Sequence, residues 1–268
     1  MDNIPTIGLG TWQNTKPEVC TNSVATALNI GYRHIDTAQY YGNEEAVGKG
    51  IIRSDVPREE IVVASKLHHE KSGLGYDEVI QGAKKSLDRL KTDYLDILYV
   101  HWPLGNYNVA QTIPAFDELR NNGVIDHVGV SNFSVNLIDE VRDHLDAPLF
   151  AHQAEMHPLL HQDELVVHAQ ENEYNFIAYS PLARGSVFDI SEINKIADDH
   201  GVSAAQVSLS WIRSHNNVAA IPKASSDDHI RDNFGSLDLE LSEREIDLID
   251  NIDQQNRYVE REDAPWLE

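Results

Sequence analysis

Cysteine is nearly absent from this sequence. The single thiol, Cys20, excludes an internal disulfide and fits a reducing compartment. It falls in a helix-like segment, where a small buried hydrophobe is its expected role. Basic residues are scarce too: 21 Lys and Arg stand against 44 Asp and Glu, a formal net charge of −23 over 268 residues. That balance argues against nucleic-acid and anionic-membrane partners. The acids are dispersed (Asp55, Glu59, Glu60, Asp77, Glu78, Asp198, Asp199), so a disordered acidic tail is not expected. Dispersed like charge repels itself in dilute buffer and is screened at molar salt, where the Debye length is ~3 Å. The expectation is a cytoplasmic protein of a salt-accumulating organism such as a halophilic archaeon.

Other absences narrow the class further. No run approaches the ~18 unbroken apolar residues of a membrane span. The opening stretch MDNIPTIGLG has no basic region followed by an apolar core, so it does not read as a secretory leader. There is no linker, internal repeat or low-complexity segment, and no apolar surface stripe, which favours a monomer. No GxGxxG turn follows an early strand, which counts against an open doubly wound dinucleotide fold.

What is present is an alternation. Apolar, β-rich runs at 5–9, 32–36, 61–66, 94–100, 125–130, 149–154, 175–179 and 218–221 are separated by helical patterns. Pro17 opens the first helix at a position that tolerates it, and Val24, Ala27, Leu28 and Ile30 form its apolar face before Gly31 stops it. Ile80, Ala83, Leu87 and Leu90 repeat at helical spacing, and the segment from Leu241 onward reads as one amphipathic helix. Strands buried on both faces and alternating with helices imply a parallel sheet. Eight such units close into a (β/α)8 barrel, an α/β TIM barrel forming a single domain over 1–268.

In a barrel the C-terminal strand ends share one rim, where active sites occur. Three consecutive runs end in Asp36, Lys66 and His101, and Tyr40 and Tyr41 follow Asp36. Each has a plain alternative: Asp36 as a helix cap, Lys66 extending out of the barrel mouth, His101 as a satisfied core histidine. Together they suit proton donation. A phenol holds its proton near pKa ~10, a neighbouring ammonium lowers that value, and a carboxylate keeps the ammonium charged. A histidine can orient a carbonyl or relay a proton. A Schiff-base aldolase using Lys66 is a different use of the same set.

The sequence resembles the aldo-keto reductase family, most closely its short-looped microbial members related to 2,5-diketo-gluconate reductases. The matching pieces run from GYRHIDTAQYYGNE, Gly31 to Glu44, through Ser65-Lys66 and DYLDILYVHWP, Asp93 to Pro103. They continue with GVSNF at Gly129, Gln153 with Glu155 and His157-Pro158, AYSPL at Ala178, and Ile221-Pro222-Lys223. The resemblance implies NAD(P)H-dependent reduction of aldehydes and ketones, with Tyr41 as general acid, Lys66 and Asp36 tuning it, and His101 positioning the carbonyl. Tyr41, not Tyr40, takes that role because it directly precedes the Gly-Asn turn. It further implies that Ser131, Asn132 and Gln153 hold the nicotinamide carboxamide and that Tyr179 stacks on its ring. Ser180, Leu182, Lys223, Ser225, Ser226, His229 and Asn233 would hold the pyrophosphate and adenosine end. Trp12, His68 and Trp102 would line the substrate pocket. Relatives that serve as non-catalytic nicotinamide-binding subunits supply the alternative reading.

Three departures from the family pattern bear on these expectations. His229 stands where an arginine would contact the 2′-phosphate, beside Asp227 and Asp228, so NADPH is expected with NADH possible. Arg231 could compensate by turning inward. His68-His69 replace a pocket tryptophan, which makes the pocket more polar and favours small polar carbonyl compounds. The short N-terminus leaves little room for a plug hairpin under the barrel. His152, His157 and His161, with His68 and His69, do not make a metal motif, because Pro158 interrupts the pairing of His157 with His161 and no cysteine supports zinc.

Overall fold

The computed structural model describes residues 4–267; residues 1–3, at the head of the stretch inspected for a leader, and residue 268, the end of the tail, lie outside them. Eight parallel strands pair in chain order: β1 Leu9–Gly10, β2 His34–Asp36, β3 Val62–Leu67, β4 Leu95–Val100, β5 Ile125–Ser131, β6 Ala151–Glu155, β7 Asn175–Tyr179 and β8 Val218–Ala220. The sheet closes on itself. Gly8 N donates to Ala220 O at 2.8 Å, Gly10 N to Pro222 O at 3.0 Å and Ala220 N to Thr6 O at 2.9 Å. A side chain is excluded at Gly10, where a Cβ would lie 2.5 Å from Ile221 O. The first strand is therefore shorter than the run 5–9 suggests. Residues 6–8 bond to β8, and the pairing with β2 starts only at Leu9, opposite Ile35.

The helices α1 Pro17–Ile30, α2 Glu44–Arg53, α3 Tyr76–Leu90, α4 Val109–Asn121, α5 Val135–His144, α6 Asp163–Glu171, α7 Ser191–His200 and α8 Ala204–Arg213 connect the strands. α9 Asp227–Gly235 and α10 Glu243–Asp250 follow β8. Pro17 is the first helical residue of α1, and Val24, Ala27 and Leu28 are buried as the pattern requires. The C-terminal amphipathic segment is helical only over α10. Ser242 accepts from Glu245 N and the Glu245 carboxylate accepts from Ser242 N at 2.7 Å, a capping box that fixes the helix start.

Alternation along the strands builds two cores. In β4, Leu98 and Val100 face the helices, while Ile97 and Tyr99 enter the barrel interior with Ala64, Ala151, Ile177 and Ala219. Both faces are dry, so the strands read as continuous apolar runs. Tyr99 fits because Gly129 lies beside it: a Cβ there would come within 2.5 Å of the ring. Ile4 joins the interior cluster where a plug hairpin would otherwise sit. Cys20 is fully buried, and burial pushes its thiol up to about 11, which suits a packing role. Among the described residues no helix is long and apolar enough to cross a membrane.

Candidate active site

The strand ends bring the ionisable residues to one rim. Asp36 is the last residue of β2, Lys66 lies in β3, and His101 follows β4. The Lys66 ammonium donates to the Asp36 carboxylate and, at 2.9 Å, to Thr37 O, while Gln153 Nε2 donates to the other Asp36 oxygen at 2.9 Å. Asp36 is thus a buried partner of two strands and not a helix cap. Asn43 likewise ties loops together, accepting from Thr37 Oγ1 at 2.9 Å and donating to Thr11 O at 2.8 Å. Lys66 does not extend from the barrel mouth: it is 1% exposed and does not line the cavity above it. An amine so committed is badly placed for Schiff-base chemistry.

The two tyrosines separate clearly. Both belong to the short turn of 3-10 helix Gln39–Tyr41. Tyr40 is 47% exposed and packs on His68, ring centroids 4.4 Å apart. Tyr41 turns inward, with the Lys66 ammonium 5.3 Å from its ring centroid and the His101 imidazole edge-on at 5.8 Å. Burial, then the charges of Asp36 and Tyr179, hold the Tyr41 phenol well above its ordinary value. This corrects the expectation that Lys66 lowers it. The ammonium gives two of its three donors to Asp36 and Thr37, and desolvation dominates the resting state. Burial and then Lys66 hold His101 well below the usual imidazole range, so its ring is neutral at pH 7. Its Nδ1 is buried with no hydrogen-bond partner among the described residues.

A cavity of about 230 Å³ opens above these groups. Of the residues expected from sequence, Trp12, Asp36, Tyr41, His68, His101, Trp102, Ser131, Asn132, Gln153, Tyr179, Ser180 and Lys223 line it. Asn132, with φ 66, donates to His101 O and Ser131 Oγ, each at 3.0 Å, and accepts from Tyr179 Oη at 2.7 Å. One amide thus joins the ends of β4, β5 and β7. Leu182, Ser225, Ser226, His229 and Asn233 do not line this cavity. Lys223 Nζ reaches Ser225 Oγ at 3.3 Å, and Ser226 caps α9 by accepting from His229 N. His229 and Arg231 are exposed on α9, and Asn233 is buried there. Arg231 is therefore not turned inward. Ser180, Ala183, Arg184 and Gly185 all have left-handed backbone, with φ of 50, 47, 51 and 102°.

Several cavity residues went unforeseen: Gly10, Arg184, Ile221, Val259 and Arg261. Ile221 opens the recognised Ile221-Pro222-Lys223 motif and Arg184 lies two residues past the AYSPL motif, and that placement could have found them. Val259 and Arg261 come from the C-terminal tail, which folds over the rim. Glu155, the last residue of β6 and wholly buried, accepts from Tyr258 N and Val259 N at 2.8 Å each and bonds His157 Nε2 at 3.0 Å. Burial opposes ionisation of Glu155, but these hydrogen bonds outweigh it and hold the carboxyl below the usual carboxylate range. Trp266 packs on Trp102 with centroids 5.5 Å apart. The histidines weighed for a metal have separate partners: His152 packs on Phe176, His157 binds Glu155, and His161 packs on Trp211.

Comparison with known proteins identifies the family. Residues 6–254 match the Aldo/keto reductase family. The chain belongs to that family. It is 38% identical to the glyoxal reductase of Bacillus subtilis (strain 168) over 254 residues, covering 95% of this chain and 91% of the relative. It is 34% identical to the methylglyoxal reductase DkgB of Escherichia coli O157:H7, covering 97% of each chain. A crystal structure described as a putative 2,5-diketo-D-gluconic acid reductase B superposes with TM-score 0.93 at 32% identity, covering 98% of this chain and 92% of that one.

Proposed function

We propose that this family member reduces small polar aldehydes and ketones to alcohols with NADPH, Tyr41 giving the proton to the carbonyl oxygen. The observation that carries the reading is the convergence of Tyr41, Asp36 and His101 at one cavity wall, with the buried Lys66 ammonium behind them on Asp36. The nicotinamide cofactor supplies hydride to the carbonyl carbon when bound. The raised pKa of Tyr41 keeps the phenol protonated and so loaded as an acid at neutral pH. As its proton moves to the substrate oxygen, negative charge develops on the phenol near the Lys66 ammonium, which Asp36 helps keep charged. Stabilisation is then largest in the transition state, where it accelerates the reaction. The neutral imidazole of His101 lines the same cavity and can donate an N–H to the carbonyl oxygen without adding charge.

The remaining polar groups fit a nicotinamide cofactor. Both donors of Asn132 are used within the protein, but its oxygen has a free lone pair; with Ser131 and Gln153 it would hold the carboxamide, against the Tyr179 ring. The left-handed backbone of Ser180 and residues 183–185, with Leu182 between them, and the Lys223 cation suit the pyrophosphate. Ser225, Ser226, His229 and Asn233, with the start of α9, suit the adenosine end. The exposed His229, Asp227 and Asp228 weaken the 2′-phosphate subsite, so the NADPH preference over NADH is expected to be modest. The two named relatives act on small aldehydes, which supports the substrate size. The same reading has the enzyme working as a cytoplasmic monomer.

Tyr41→Phe should lose roughly 10²- to 10⁴-fold in kcat while still binding NADPH, measured by fluorescence. Tyr40→Phe should keep most turnover. If Tyr40→Phe abolished reduction and Tyr41→Phe did not, the assignment would be wrong. A higher kcat/KM with NADH would refute the cofactor choice.

A further inference from the structure

The charge of the cavity is inverted relative to the chain. Among its 18 lining residues Asp36 is the sole carboxylate, already held by Lys66 and Gln153, while Arg184, Lys223 and Arg261 are all cations. The chain as a whole has 44 acids to 21 bases. Two of these cations lie on the β7–β8 side. Arg184 sits over the Trp12 ring at 5.1 Å, and Lys223 bonds Ser225, where the cofactor phosphates are expected. Arg261 lies across the barrel, its guanidinium 5.2 Å from the Trp102 ring centroid and its charge acting on His68 and His101.

Among the described residues the carboxylates that act on Arg261 are Asp263 and, more weakly, Glu70. Asp263 takes the guanidinium Nε and Nη2 at 2.9 and 3.2 Å, and Arg261 has no other hydrogen-bond partner among the described residues. A guanidinium has five donors, so most stay available to a second acceptor. Trp102 offers it a ring face, and burial keeps His68 and His101 neutral, His68 down at about 4. The tail that carries Arg261 is fastened to Glu155 through Tyr258 N and Val259 N, so the cation is held at the cavity edge in advance. It lies beyond residue 254, where the family match ends.

We propose that Arg261 is a specificity-determining residue that selects carbonyl substrates bearing a carboxylate a few bonds from the carbonyl, with Asp263 restraining it. This rests on the reduction proposed for the same cavity. The incoming carboxylate shares or displaces the Asp263 contact and gains charge-assisted hydrogen bonds beside the Trp102 face. Neutral aldehydes of the same length still fit, but gain nothing from Arg261.

The matched pair 4-oxobutanoate and butanal, assayed with NADPH and with NADH, tests this. Wild type should favour the anion by roughly tenfold or more in kcat/KM, mainly through KM. Arg261→Met should collapse that ratio, whereas Asp263→Asn, which leaves the guanidinium in place but unrestrained, should raise it. Opposite signs from two neighbouring positions are not expected of general loosening of the tail. A wild type that reduces butanal as well as 4-oxobutanoate, or an Arg261→Met ratio equal to wild type, overturns the inference and leaves carbonyl reduction standing. A ratio unchanged or lowered in Asp263→Asn overturns the restraint assigned to Asp263. Failure to reduce either aldehyde with either cofactor overturns the reduction reading and this inference with it.

Discussion

Replacing Glu155 with alanine should release the C-terminal tail while leaving the barrel folded. The side chain is wholly buried and gives both carboxylate oxygens to tail amides, Tyr258 N and Val259 N at 2.8 Å each, while His157 bonds one of them at 3.0 Å. A hydrogen bond to a charged acceptor contributes ~1.5–3 kcal/mol, so losing the two amide bonds costs about 3–6 kcal/mol of docking free energy. The damage to global stability is capped at the docking free energy itself, because a detached tail has nothing more to lose. Hydrogen exchange reads the event directly. A loss of ~3 kcal/mol makes the Tyr258 and Val259 amides exchange roughly 150-fold faster, while the barrel amides keep their protection. Val259 and Arg261 leave the cavity wall and Trp266 leaves Trp102, so tryptophan emission should shift red and iodide should quench it more strongly. Glu155→Gln keeps one carbonyl acceptor and should fall between the two. Wild-type protection at Tyr258 and Val259 in the alanine variant would refute the idea that this carboxylate fastens the tail.

Acid should weaken the fold through buried histidines. Burial holds His34 down at about 4, whereas an unfolded histidine titrates near ~6.5. With the folded value depressed, the unfolded chain binds more protons below ~6.5; the contribution is complete above that pH and is lost as pH falls through 4. His34 alone accounts for about 3 kcal/mol over this window, and His152, held at about 3, adds to the same trend. Urea unfolding that gave equal stability at neutral pH and near pH 4.5 would contradict it. The formal charge of −23 predicts a second dependence. Urea midpoints should rise with KCl towards molar concentration, and full stability in low-salt buffer would sink the self-repulsion argument.

The architecture was legible in the sequence because its signals are local. Continuous apolar runs, as strands buried on both faces require, and the helical patterns between them need no knowledge of distant contacts. Strand ends in a barrel share a rim by construction, so Asp36, Tyr41, Lys66 and His101 could be grouped before any distance was known. The short first strand was not legible, because whether Thr6 and Ile7 pair with β2 depends on where β2 begins. The direction of the Tyr41 shift was decided by tertiary structure too. Proximity to Lys66 suggested a lowered pKa, but burial and the commitment of that ammonium to Asp36 reverse it. The tail lies furthest from sequence reasoning. Glu155 reads as part of a strand-end motif, and Arg261 as one arginine in a polar extension. Only the fold brings backbone amides 103 and 104 residues away onto that carboxylate, and only that clamp puts a cation at the mouth of the cavity. Long-range hydrogen bonds of this kind leave no periodicity in the chain, because they depend on which surfaces the finished barrel presents.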